Sequence, residues 1–332
     1  MDFSLTDEQV LLRDTAKALF TKECPPELLR AHIEDPSVAD GLWQHTREFA
    51  ALADGPCTDL CLFAEEAGYV AAPGPFFATT ALFAPIAAAV GSDLHAGAVA
   101  GELMGTVALA GSDGIWRVNT DPVKTFVPEA DRVDWIAIVT TGPEVVIVPA
   151  GDLATRFVKT VDFSRRLFEV HTAGVSGSHR GIDERALTSI IEAATIVLAA
   201  ETVGVARRMF DMALAYAKER YQFDVPIGSF QAIQHKLADT SLAVERATAA
   251  VHYAAMTVDA DDADRHRATH VAKAAAGTAA MTAAKDSIQV HGGIGYTWEH
   301  DLQLFIRRAT GAEHWMGTTD WHHDRLADLL LA

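Results

Sequence analysis

The sequence predicts a mainly α chain with a β middle domain. An N-terminal helical domain is expected over residues 1–103, a short β-barrel-like domain over 104–175 and a C-terminal four-helix bundle over 176–332. Three observations carry this. Apolar residues recur at helical spacing through the first block. The period then changes to short β-branched runs separated by Gly, Asp and Pro. Beyond Ile182 long Ala, Leu, Val and Met patterns return at the spacing of a helical bundle. A chain of 332 residues can bury a large core, and its length fits two or three domains.

In the first block Thr6 and Gln9 match a capping box, and Leu12, Ala16, Leu19 and Phe20 fall on one face of the helix that follows. Pro25 and Pro26 end it. Further helices are expected over 43–52 and 58–70, and Phe76, Phe77 and Phe83 read as core. In the second block TVALAG, DWIAIVTT and EVVIVPA read as strands, with WRVN and PVKTFVPEAD as further ones. The third block offers helices over 185–221, 229–258, 263–289 and from 302 to the end, broken by Pro226 and the glycines at 292, 293 and 295. The acidic run 259–264 reads as a solvated loop between helices.

The formal net charge of −18 argues against nucleic acid or an anionic membrane as the main partner. A local cation can still serve a phosphorylated small molecule. Cys24, Cys57 and Cys61 are too few, and odd in number, for a disulfide framework, which suggests a reducing compartment. Cys57 and Cys61 have helical spacing and read as small buried side chains. His291 and the pair His322-His323 have no acid or cysteine at ligand spacing, so no metal is expected. No long charge-free run reads as a membrane span, and the acidic start MDFSLTDEQV is unlike a secretory signal. A cytoplasmic location is expected.

Two stretches stand apart from this apolar background: ERYQFDVPIGSFQAIQHKLADT over 219–240 and QVHGGIGY over 289–296. Both put polar and planar groups at the ends of core-like helices. Arg220 followed by Gln222 and Phe223 before a Pro turn suits a dinucleotide. A guanidinium pairs with pyrophosphate oxygens in charge-assisted bonds worth about 1.5–3 kcal/mol each, and a Phe offers an apolar face beside a ring. The glycines at 292, 293 and 295 are not a dinucleotide fingerprint of the strand-turn-helix kind, because a helical run precedes them. They read as a helix C-cap and turn, with Gly293 allowing close backbone approach and Gln289 offering hydrogen bonds.

The run R-x-Q-F-x-x-P-I-x-x-F-Q-x-x-Q-x-x-L-A-D, followed downstream by Q-x-x-G-G-x-G-Y, resembles the C-terminal domain of the acyl-CoA dehydrogenases. The resemblance implies FAD as cofactor. It implies that Arg220, Gln222, Phe223, Gln289 and Gly293 bind the ADP half of an FAD held by the neighbouring subunit. Asp224 stands where the family commonly has Gly. Two further departures bear on the chemistry. The family's middle domain cradles the flavin ring with a Thr-Glu-Pro and Gly-Ser-Asp segment and a Trp-x-x-Thr segment. Here Ala110-Gly111-Ser112-Asp113 lacks the preceding Thr-Glu-Pro, and WRVNTDPVKTFV follows at once, which implies that this chain does not itself hold a flavin ring.

The second departure concerns the base that takes the α-proton, a role worth about 10²–10⁴-fold. The family's Tyr-Glu-Gly-Thr run corresponds to Trp315-Met316-Gly317-Thr318, so Met316 replaces the Glu. The alternative position, on the first long helix of the last domain, falls at Ala194. Glu192, Glu201, Glu313 and Asp320 are nearby but match neither place, and read as helix-surface carboxylates.

The retained and lost residues together resemble the smaller, non-catalytic subunit of the α2β2 acyl-CoA dehydrogenases of actinobacterial steroid side-chain breakdown. The expectation is a subunit of an FAD-dependent oxidoreductase acting on CH–CH bonds, introducing an α,β double bond into a bulky acyl-CoA. A second, catalytic chain would supply the base and most of the acyl-CoA site, and this chain alone would be inactive. The alternatives are a homomeric flavoenzyme with a relocated base and a non-enzymatic assembly subunit.

Overall fold

The computed structural model describes residues 3–331; residues 1, 2 and 332 of the expected end domains lie outside the described residues. Helix α1 (Asp7–Glu23) starts at the expected capping box. The Thr6 hydroxyl accepts from the Gln9 N–H at 3.2 Å, and the Gln9 side-chain oxygen accepts from the Thr6 N–H at 3.1 Å. Helix α2 (Pro26–Glu34) begins on a proline, whose missing N–H costs nothing at that position. Helix α3 (Ala39–Thr46) tightens into 3₁₀ turns over Arg47–Asp54, so the helix expected over 43–52 is split.

Helix α4 (Cys57–Tyr69) is capped from far along the chain. The Asp259 carboxylate accepts from the Cys57 N–H at 2.5 Å, the Thr58 N–H at 3.1 Å and the Thr58 hydroxyl at 2.6 Å. An acid at a helix N-terminus meets otherwise unpaired donors and the positive end of the dipole. The acidic run is therefore in part a structural cap rather than only a solvated loop. A buried π-helical segment (Ala78–Phe83) leads into α5 (Ala84–Ala89), and α6 (Leu94–Val99) closes the block. Phe83 is buried, while Phe76 and Phe77 are half-buried.

The β region holds seven strands: β1 (Gly105–Ala108), β2 (Val123–Pro128), β3 (Trp135–Thr140), β4 (Glu144–Pro149), β5 (Ala154–Val158), β6 (Leu167–His171) and β7 (Arg180–Gly181). They form two sheets in the orders β1-β3-β4-β7 and β2-β6-β5. β1 runs parallel to β3, with Gly105 opposite Trp135, and the other pairings are antiparallel. Val127, Ile136, Ile138, Val146, Val148 and Phe168 form their shared core. WRVN is not a strand. Its backbone is held by side chains: Asn119 Nδ2 donates to the carbonyls of Leu109 and Arg117, and Lys124 Nζ donates to Asn119. The sequence reading missed β5 and β6, where the apolar alternation is weak and β5 is largely exposed.

The last block is built on α7 (Glu184–Glu219), the hairpin β8 (Tyr221–Gln222) and β9 (Val225–Pro226), α8 (Gln231–Asp259), α9 (Arg265–His291), α10 (Leu302–His314) and α11 (Thr319–Leu331). The single helix expected from residue 302 onward is broken at 315–318. An 18-residue stretch of α7 has mean hydropathy 1.6, long and apolar enough to cross a membrane, although charged residues interrupt it. In this fold 78% of that stretch is buried, so its apolar surface serves the bundle core.

Helices α4 and α7 cross backbone to backbone. A Cβ on Gly68 would lie 2.0 Å from the Glu201 carbonyl oxygen, and one on Gly204 would lie 1.9 Å from the Glu65 carbonyl oxygen. Arg207 of α7 ties the crossing by donating to Glu65 at 2.5 Å and Glu66 at 2.6 Å. Since no flexible side chain can move aside, Gly204→Ala is expected to lower stability by about 1–3 kcal/mol or more. Urea denaturation that left the midpoint unchanged would show that the two helices can separate freely.

Candidate functional site

Two regions matter, at opposite ends of the last block's chemistry. The first is the β8–β9 hairpin and the end of α9. Arg220 is the extended residue that ends α7, and its carbonyl accepts from the Ile227 N–H at 2.8 Å, which closes the hairpin. Among the described residues its guanidinium has no acidic partner. The two residues at the hairpin tip, Phe223 and Asp224, have φ values of 55° and 64°, in the left-handed region. That tight turn lifts the Phe223 ring to 88% exposure, with only an edge contact to Phe230 at 6.2 Å between centroids. Gln222 Nε2 donates to the Tyr221 carbonyl within the hairpin.

Gln289 is exposed on the last turn of α9, one residue before Val290. Val290 packs with Ala213, Ala217 and Leu237, and Tyr216 stacks on His291 at 4.5 Å. These contacts bring the end of α7, the start of α8 and the end of α9 together. Arg220, Gln222, Phe223 and Gln289 thus share one end of the bundle. Gly293 lies in the 3₁₀ turn Gly292–Tyr296 with open space around it. The residue there whose backbone requires glycine is Gly292, at φ 65°.

The second region is the break at 315–318. Trp315 is extended, Met316 sits at φ 61° and Gly317 at φ 103°. The backbone here is gathered by buried side chains. Lys273 of α9 donates to the carbonyls of Ala312 at 3.0 Å, Glu313 at 3.2 Å and Gly317 at 2.9 Å. Those of Ala312 and Glu313 are among the carbonyls that the end of α10 leaves without helical partners. Burial pushes the Lys273 amine down to about 8, against an opposing pull from Glu313.

His322 Nε2 lies 3.1 Å from the Met316 carbonyl, and His322 Nδ1 lies 2.7 Å from His270 Nδ1. A carbonyl only accepts, so His322 Nε2 carries the proton and its Nδ1 accepts from His270. Burial holds His322 down to about 3 and His270 to about 4, so both rings are neutral. In front of this turn opens a cleft of about 850 Å³, walled by Trp116, Leu187, Glu192, His266, Met316 and Trp321 among others.

The acids near the turn are already engaged. Glu192 accepts from His266 Nδ1 at 2.6 Å and faces Arg265 at 3.3 Å. Glu201 accepts two bonds from Arg165 Nη2, at 2.5 and 2.6 Å. Glu313 accepts from the Thr319 N–H at 2.9 Å and so caps α11. Glu192 and Glu201 are buried, which corrects their reading as surface carboxylates, while Asp320 is exposed. Ala194 is fully buried. Ser112 is spent inside its own loop, its N–H and hydroxyl both donating to Asp121 Oδ2. The sequence reading missed Lys273, Arg165 and the His270–His322 pair. Lys273 had a legible signal, a lone cation in the alanine-rich face of α9; the other groups are joined only by the fold.

Comparison with known proteins agrees with this architecture. The family described as acyl-CoA dehydrogenase, C-terminal domain, matches residues 184–331. Acyl-CoA dehydrogenase IpdE2 of Mycobacterium tuberculosis is 31% identical over 318 residues, covering 92% of each chain. Acyl-CoA dehydrogenase FadE34 of the same organism is 36% identical over 286 residues, covering 80% of this chain and 37% of FadE34. Among solved structures, a chain of the ChsE4-ChsE5 complex from Mycobacterium tuberculosis superposes with TM-score 0.88 at 24% identity, over 100% of this chain and 99% of that one. A chain of a Tcur3481-Tcur3483 steroid ACAD variant gives 0.85 at 25% identity, over 98% of each.

Two substitutions test the local physics. Lys273→Met leaves three carbonyls without their donor and is expected to lower stability by roughly 1–3 kcal/mol. An ordinary lysine holds its proton to about pH 10.4, so between about pH 8 and 10 the unfolded chain binds more protons than the folded one. The burial cost of the Lys273 charge is therefore full below pH 8 and fades above it. The stability gap between wild type and K273M is expected to widen in favour of wild type from pH 8 to about pH 10, measured by denaturation at each pH. Asp224→Gly removes a side chain from a left-handed position and is expected to raise stability by about 0.5–1 kcal/mol. A lowered melting temperature would contradict the strain assigned to this tip.

Proposed function

The chain belongs to the acyl-CoA dehydrogenase family, and from that premise we propose that it is the FAD-supporting, non-catalytic subunit of a heteromeric enzyme. The reaction is α,β-dehydrogenation of a bulky acyl-CoA, of which a steroid side chain is the favoured class. The observation that carries this reading is the contrast between the two regions. At the hairpin end, Arg220, which has no acidic partner among the described residues, stands together with an 88% exposed Phe223 and an exposed Gln289. At the turn, Met316 is buried at the base position, and Glu192, Glu201 and Glu313 are each held by another group.

The hairpin end fits the ADP half of FAD. Arg220 would pair with the pyrophosphate, Phe223 would lie against a ring, and Gln289 with Gln222 would hydrogen-bond to the adenosine side, while Gly293 leaves room for close approach. When bound, the flavin supplies the hydride acceptor. This chain's part is to hold and orient that cofactor for a site on a second subunit, which supplies the base and most of the acyl-CoA contacts. The ring half fits this chain less well, because the donors of Ser112 are used within its loop. Two similar structures that are named as pairs of chains support a partner of this kind.

The test is co-expression with an adjacent acyl-CoA dehydrogenase gene, followed by FAD quantitation against protein mass. One FAD per two unlike chains is expected, with a colourless, inactive product when this chain is made alone. One FAD per chain would favour the homomeric reading, with Glu192 on the wall of the large cleft as the first base to examine. A colourless, inactive complex would favour the assembly subunit. Within the complex, Arg220→Ala is expected to weaken FAD retention by about 10- to 100-fold, the equivalent of about 1.5–3 kcal/mol. Unchanged retention would remove Arg220 from the site.

A further inference from the structure

Among the described residues several arginines have no acidic partner. Of these, Arg208 is the one with a side-chain nitrogen sealed from water: its Nε is buried and meets no acceptor. A buried donor left in this way is unfavourable. The neighbouring Arg207 shows the contrast, since its guanidinium is taken by Glu65 and Glu66. The Arg208 guanidinium lies against two aromatic rings instead, 5.3 Å from the centroid of Tyr69 and 5.5 Å from that of Phe305. Ring faces attract a cation, which holds the group in place without neutralising it. Asp211, one turn further along α7, accepts from the Tyr69 hydroxyl at 2.9 Å and forms no ion pair with Arg208.

Arg208 lines a pocket of about 170 Å³ where the end of α1, the start of α2 and the end of α4 meet α7 and α10. The apolar walls are Pro25, Pro26, Leu29, Val70 and Phe305. The two prolines have no N–H, so the rim offers no backbone donor there. Thr21 adds a hydroxyl. Cys24 adds a thiol that burial pushes up to about 12, so it carries no charge that would compete for the arginine. The pocket shares no lining residue with the cleft in front of the turn 315–318. Arg208 also stands about three turns of α7 before Arg220.

We infer that this pocket is a binding site for a small carboxylic acid with a short aliphatic body, whose carboxylate pairs with Arg208 while the body lies on the proline and leucine wall. A guanidinium fork matches the two oxygens of a carboxylate. The apolar walls favour a ligand with methylenes over a bare inorganic anion. The volume sets the size, since pockets for drug-sized ligands run to about 300–1,000 Å³. Neither FAD nor an acyl-CoA enters a space this small.

The full chain is titrated calorimetrically at neutral pH with pentanoate, pentanamide and inorganic phosphate. Pentanoate is expected to bind saturably. The other two should bind about tenfold more weakly or worse, because pentanamide lacks the charge and phosphate lacks the aliphatic body. Arg208→Met keeps the apolar stem and is expected to weaken pentanoate by about 10- to 100-fold, the loss of one charge-assisted pair. Arg47→Met changes an exposed arginine that does not line the pocket, and should leave pentanoate affinity unchanged. Should Arg208→Met fail to melt cooperatively, Arg208→Gln makes the same test, and the comparison of probes on wild type needs no variant. Unchanged pentanoate affinity in a folded Arg208 variant overturns the site, as does absence of saturable binding to wild type. Phosphate or pentanamide binding as tightly as pentanoate overturns the ligand class. None of these results touches the FAD stoichiometry, which reads the hairpin end.

Discussion

Arg165 and Glu201 form an ion pair inside the protein, with the guanidinium largely removed from water, and four parts of the chain converge on it. Arg165 follows the loop that carries Asp162 and Ser164, Glu201 lies in the middle of α7, Trp315 ends α10, and Phe77 belongs to the segment after α4. Arg308 completes the group. It donates to the carbonyls of Ala71 and Ala72 at 2.9 and 2.8 Å and lies 3.5 Å from both Glu201 and Asp162. Two cations and two carboxylates balance. An intact buried group of this kind is weak evidence for stability, but losing one partner costs about 3–5 kcal/mol, because the survivor is left charged and dry. The β region, the bundle and the turn are therefore fixed relative to one another by an arrangement that tolerates no single loss.

The turn at 315–318 keeps its shape through bonds that bypass its side chains. What the structure holds there is backbone. Lys273 takes the carbonyls of Ala312, Glu313 and Gly317, and His322 takes that of Met316. The side chain at 316 makes none of these bonds. It is buried in the hydrophobic core and held by packing, so only the hydrogen bonding of the turn is decoupled from it.

That decoupling also marks what the sequence could reveal. The capping box at Thr6, the prolines after α1, the β-branched runs of β3 and β4 and the helical period of α7 to α9 are local signals, and they read correctly. The hairpin at 221–226 and the glycine at 292 were legible as breakers because left-handed or kinked backbone leaves a local trace. The break between α10 and α11 left almost none. Its cause is a lysine and a histidine supplied by α9 and α11, together with a ring clamped by an arginine from the β region. The same holds for Asp259, which reads as one member of an acidic loop until its carboxylate is found capping α4. The candidate site divides along this line: the hairpin motif is continuous in sequence, whereas the cleft is assembled from five separate segments.

The charge distribution gives the hairpin end its weight. A chain with a net charge of −18 repels anions at long range. Most of its arginines are consumed in pairs: Arg165, Arg207 and Arg308 in the interior, Arg30, Arg166 and Arg267 nearer the surface. Arg220 is one of several arginines with no acidic partner among the described residues, and it lies at the hairpin whose tip holds Phe223 outward at positive φ. Holding a large apolar ring in water costs free energy, and holding Phe223 and Asp224 at positive φ costs more. Among the described residues these costs are met only by the hairpin pairing and an edge contact of Phe223 to Phe230. An anionic group attached to a planar ring would offset both at once, and it would do so without requiring this chain to hold any residue that acts on a substrate.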